Sequence, residues 1–117
     1  MEYTESILDS IKKMLGIAMD YTQFDPDIVM HINTALMDLN RIGVGPPEGF
    51  SITDSSSVWS DFVSDTTKIE GIKTYVYLNV RLVFDPPLNS SILASMERQI
   101  SKLEWTLNVF ADNNTDA

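Results

Sequence analysis

Thr67-Lys-Ile-Glu-Gly-Ile-Lys-Thr-Tyr-Val-Tyr-Leu-Asn-Val-Arg-Leu-Val-Phe-Asp-Pro-Pro87 is the most apolar run in the chain, and its reading decides the fold. Two readings compete. From Tyr75 to Phe84 the residues alternate, with Val76, Leu78, Val80, Leu82 and Phe84 on one face, as a strand requires. The Tyr and Val content favours that reading. The helical reading has the better boundary, because Thr67-x-x-Glu70 has the form of a capping box. From there Ile69, Ile72, Val76, Val80 and Val83 fall on one stripe at helical spacing. Leu78 and Leu82 then lie on the far side with Gly71, so such a helix needs cover on two sides, the second of which another subunit can supply. Pro86 and Pro87 end either structure.

Outward from this stretch the pattern is helical. Residues 4–15 carry an apolar stripe of Ile7, Leu8, Ile11, Met14 and Leu15, with Thr4 or Ser6 as cap, Lys12 and Lys13 near the negative end, and Gly16 as the closing residue. A short connector, 17–24, follows. Asp25 as N-cap and Pro26 at the first helical position open a second helix. Ile28, Ile32, Ala35, Leu36 and Leu39 form its buried stripe, and Met30 and Met37 project from the opposite side. Gly43 to Ser57 is a long loop whose glycines and prolines forbid a regular element at its start; Phe50 to Thr53 can form a short extended segment. Val58 to Val63 reads as a helical turn capped by one of Ser55 to Ser57, with Trp59 and Phe62 plugging the core. The last helix starts at Ser90 behind an Asn89 cap. Ile92, Leu93, Met96, Ile100, Leu103, Leu107 and Phe110 make its stripe, and Trp105 stands opposite. The expectation is an all-α bundle of four main helices, a Gly/Pro-containing loop and a short extra helix, occupying residues 1–110 as one domain. Residues 111–117 are expected to be a polar, flexible tail.

Composition narrows the function classes. A chain of 117 residues with net charge −9 and no cysteine has no disulfide framework or thiolate chemistry. It lacks the Lys/Arg excess with which proteins neutralise nucleic-acid phosphates. No apolar run reaches the length of a membrane span. The first residues lack a signal peptide's basic region, so synthesis in the cytoplasm is expected. Catalysis finds no foothold: His31 is the single histidine, no HExxH exists, and Gly43-x-Gly45 runs into Pro46-Pro47 rather than a helix start. Asp25 and Asp27 are accounted for by a cap and a helix dipole. No cofactor or metal is expected.

A resemblance then enters on specific segments. They are Ile11-Lys-Lys-Met-Leu-Gly-Ile17, Phe24-Asp-Pro-Asp-Ile28, His31-Ile-Asn-Thr-Ala-Leu36, Ile42-Gly-Val-Gly-Pro-Pro47, Trp59-x-Asp-Phe62, Ile72 to Pro87, and Met96-Glu-x-Gln-Ile100 with Leu103-Glu-Trp105. In this order they resemble the head–tail connector (adaptor, or head-completion) proteins of tailed phages and prophages. The resemblance implies an all-helical fold, with the central stretch as helix and no catalysis. It implies a homo-oligomeric, twelve-fold ring beneath the portal protein, in the neck of the virion. The ring would extend the DNA channel without binding DNA specifically and would present a surface to stopper or tail proteins. Synthesis would take place in the host bacterial cytoplasm.

On this reading Gly43, Val44, Gly45, Pro46, Pro47, Phe50, Ile52, Leu78 and Leu82 are candidates for a subunit–subunit or tail-side contact. Trp105, Val109, Phe110 and Asn113 are candidates for docking on the portal. The alternative is a small acidic binding module, such as a phage-encoded inhibitor or DNA mimic. The scattering of the carboxylates among caps and turns disfavours the mimic.

Overall fold

The computed structural model describes residues 4–65 and 67–115, with backbone alone for Phe110 and residues 112–115. Five helices follow in order: α1 (Ile7–Leu15), α2 (Asp25–Arg41), α3 (Trp59–Phe62), α4 (Ile69–Phe84) and α5 (Ser90–Thr115). No strand occurs among the described residues. The central stretch is therefore helix, and the Phe50–Thr53 segment is irregular. The one bridge pairs Ser6 with Val58, tying the entry of α1 to the entry of α3.

Helix α4 is the axis of the fold, packing against α1, α2 and α5. Ile69, Ile72, Val76 and Val80 join the core cluster that includes Ile28, Ile32, Leu36 and Leu39 of α2 and Ile7 and Ile11 of α1. The second stripe faces α5. A Cβ built on Gly71 would lie 3.8 Å from Leu103 and 3.9 Å from Leu107. One turn further on, Tyr75 donates its hydroxyl to Glu104 Oε2 at 2.7 Å. Leu78, on the same stripe, is 5% exposed. The second cover anticipated for α4 thus comes from the same chain.

Several local expectations need correcting. The Thr67 capping box does not form, because the Thr67 hydroxyl and N–H both bond Asp65 Oδ1, and α4 starts at Ile69 without a side-chain cap. Asp25 is not the cap of α2; it is the first helical residue, and its carboxylate serves Lys12 instead. The cap of α3 is Val58, whose N–H bonds Asp61 Oδ2, rather than one of the serines. Met14, Val83 and Ile92, expected on buried stripes, are exposed. Helix α5 continues past Phe110 to Thr115 and buries Ala111, so the stretch expected to be a tail begins as helix. Ser6, Gly16 and Asn89 perform the capping expected of them: Ser6 Oγ accepts from Asp9 N, Gly16 is left-handed, and Asn89 Oδ1 accepts from Ser91 N and Ile92 N.

Lys12 carries an unexpected load. It is 1% exposed, and its ammonium reaches Met19 O at 3.1 Å, Tyr21 O at 2.9 Å and Asp25 Oδ1 at 2.9 Å. Two carbonyls accept hydrogen bonds from the ammonium and the carboxylate balances its charge, which offsets the cost of burying it. The contacts pin the 17–24 connector and the start of α2 onto α1. Trp59 plugs the core as expected; its Nε1 donates to Ser10 Oγ at 2.8 Å, and Ser10 donates to Ile7 O.

Three predictions follow from this packing. Lys12→Ala should cost about 3 kcal/mol in urea unfolding, since it leaves buried acceptors and a carboxylate unpaired. Gly45 has φ +88, and a Cβ there would enter the Phe62 ring; Gly49 has φ +96 with open space around it. Gly45→Ala should therefore cost about 2–4 kcal/mol and Gly49→Ala about 1, read as thermal shifts. The Tyr75 hydroxyl is pushed above the ordinary tyrosine range by burial, then by its hydrogen bond to Glu104 and that carboxylate's charge. Its contribution to stability should be complete below a pH of about 10 and be lost as pH rises above that value, as the unfolded chain's Tyr75 ionises. Tyr75→Phe should flatten that alkaline loss, measured by denaturant titration across the range.

Candidate docking surfaces

The loop from Gly43 to Ser57 is held in place by side chains of α2, and Ile42 just before it by a side chain of α5. Asn33 clasps Ile52 twice, Nδ2 donating to its carbonyl at 2.9 Å and Oδ1 accepting from its N–H at 2.8 Å. Asn40 Nδ2 donates to Pro46 O at 2.9 Å, and Asn108 Nδ2 donates to Ile42 O at 3.1 Å. These amides supply partners that an irregular backbone cannot find for itself. The loop therefore turns its apolar residues inward. Val44 and Ile52 are buried, and the Phe50 ring packs on Phe62 with centroids 5.4 Å apart.

This placement sorts the residues expected to form a contact. Val44, Ile52 and Leu78 are taken up by the chain's own packing. Pro47 is exposed, while Pro46, Phe50 and Leu82 are half-buried. Gly43, Val44, Gly45 and Pro46 line a cleft of about 380 Å³ floored by Phe62, Ile72, Leu107 and Ala111. Among the expected portal-docking residues, Trp105 is 70% exposed and Val109 half-buried; the side chains of Phe110 and Asn113 lie outside the described residues.

A second opening, of about 760 Å³, runs along the outer face of α2. Val29, Met30 and Met37 form its floor, and Glu48, Gly49 and Phe50 of the loop form one wall. Met30 is 56% and Met37 65% exposed. The methionines were legible as an off-stripe pair; the groove was not, because its wall belongs to a loop whose course depends on Asn33 and Asn40. Among the described residues no cluster of His, Asp or Glu could hold a metal ion, and no helix is long and apolar enough to cross a membrane. Asp54 and Asp65 are held below the usual carboxylate range by hydrogen bonds from Ser56 and Thr67, which belong to local turns.

The accessible features are thus apolar anchors on separate helix faces, suited to protein contacts. Residues 7–114 match the sequence model of the family described as phage connector protein. The chain belongs to that family. The match spans all five helices, including the α5 segment beyond Phe110. No curated protein and no solved structure matches the chain. A phage connector is a structural component that works against other head and tail proteins. Among the exposed apolar side chains of this connector are Met30 and Met37, which repack easily, and Trp105, of a residue type enriched where protein contacts concentrate their energy.

Proposed function

We propose that this connector assembles as a ring, expected to be twelve-fold, on the portal protein at the neck of the virion after the DNA is packaged. The ring prolongs the DNA channel and offers its far side to a stopper or other tail-completion protein. The family match over nearly the whole helical domain carries this reading. Two physical features support it. The net charge of −9 disfavours retention of DNA by its phosphates, as a conduit requires. The tightly tethered loop and the buried Lys12 give the subunit a fixed shape for repeated packing. The C-terminal end of α5, from Val109 through Asn113, is the segment assigned to the portal. The Pro47–Phe50 part of the loop is assigned to contacts with a neighbouring subunit or the tail side.

The test is co-sedimentation of the purified protein with DNA-filled, tailless capsids, imaged by electron microscopy. Ring-shaped density under the portal vertex is the expected result. Absence of capsid binding, together with capture of a host factor by the same protein, would overturn the proposal in favour of an acidic inhibitor.

A further inference from the structure

The two outward anchor surfaces are complementary, and they cannot meet within one chain. On α5, Arg98, Lys102 and Trp105 are spaced by four and three residues and so share one exposed face. That face is cationic in a protein of net charge −9. Lys12, Arg41, Lys68 and Lys73 are engaged in ion pairs, Arg81 bonds Tyr77 and the Asp85 carbonyl, and Lys13 stands exposed by itself on α1. Arg98 and Lys102 form no ion pair among the described residues. Glu97 borders this ridge, while Glu104 is engaged by Tyr75 and Arg41.

The groove on α2 has the opposite character. Its floor is the adaptable pair Met30 and Met37, its loop wall carries Glu48, and Asp27 is exposed one turn before Met30. On α4, the stripe facing the α1/α2 core and the stripe facing α5 are about 135° apart at 3.6 residues per turn. The outer faces of α2 and α5 therefore point away from each other. A ridge and a groove that match but lie on separate faces make a head-to-tail contact, the kind of contact from which a ring is built when the rotation between copies closes.

We infer that the Arg98–Lys102–Trp105 ridge of one copy seats in the Met30–Met37 groove of the next copy, Trp105 on the methionines and the two cations toward Glu48 and Asp27. This rests on the ring reading and names its mating surfaces. It assigns Trp105 to the neighbouring subunit rather than to the portal. Met packs well against an aromatic ring, a buried Trp is a common anchor, and the charged rim sets the register.

The absence of native cysteine allows a direct test. The Glu48→Cys/Lys102→Cys double variant is bound to tailless capsids and treated with a short bis-maleimide. The expected result is a ladder of covalent multimers from the double variant and, from an equimolar mixture of the two single variants, dimers only. Ring density under the portal with no ladder would overturn this interface and leave the ring standing. Absence of ring density for the unmodified protein would instead overturn the ring reading itself. Trp105→Ala, which removes an exposed side chain and should leave helicity unchanged, is expected to lower ring occupancy at least tenfold. Rings that still cross-link fully with Trp105→Ala but fail to dock would return Trp105 to the portal contact.

Discussion

Helix α4 has apolar side chains on two sides, and neither side can be left to water. Ile69, Ile72, Val76 and Val80 demand one cover, and Gly71, Tyr75 and Leu78 demand another. Helices α1 and α2 meet the first need, and α5 meets the second after the chain reverses at Pro86-Pro87. Leu103 and Leu107 lie alongside α4 at Gly71, and the Tyr75–Glu104 hydrogen bond gives the Tyr75 hydroxyl on that stripe a partner. With α4 enclosed on both sides, Met30 and Met37 on the outer face of α2 and Trp105 on that of α5 remain exposed.

The irregular segments are fixed by a different device. Between α1 and α2, and again between α2 and α3, the backbone has no helical partners to bond. Buried or half-buried polar side chains take that role. Lys12 gathers two carbonyls and a carboxylate around one ammonium, Asn33 and Asn40 bond the backbone of the long loop, and Asn108 bonds Ile42 just before it. The loop consequently behaves as part of the packed domain, with Val44, Ile52 and the Phe50–Phe62 contact under it. A connector works through its surface, and side-chain tethers that hold a Gly/Pro-containing loop in one course keep that surface fixed.

The same arrangement explains how an acidic protein can still offer sites for association. Most cationic side chains are engaged inside the subunit, and apart from Lys13 on α1 those left are Arg98 and Lys102, a local basic patch beside Trp105 on the outer face of α5. The methionine groove on α2 lies under a loop wall that carries Glu48. Charge and shape are thus segregated onto different faces, although the totals in the composition show only an excess of carboxylates.

Much of the fold is legible in the sequence. Period-3.6 stripes located α1, α2 and α5, and Ser6, Gly16 and Asn89 marked ends that are capped as expected, because caps are made by neighbours in sequence. The off-stripe positions of Met30, Met37 and Trp105 followed from the same periodicity. The central stretch was ambiguous because a segment buried on two sides satisfies both the strand and the helix pattern; resemblance to phage connectors, and then the structure, resolved it. Other features depended on contacts remote in the chain. Asp25 looks like a cap until Lys12 arrives beside it, though Lys12 stands one turn beyond Leu8 on the buried stripe, a position that could have signalled its burial. Leu78 looks like an external face until α5 lies over it, and Val44 and Ile52 look like loop surface until α2 draws the loop down. Legible in the sequence alone were the apolar stripes, the helix ends made by Ser6, Gly16 and Asn89, and the family. Tertiary structure alone decided which apolar face is covered from within, because that choice is made by side chains dozens of residues apart competing for the same surface.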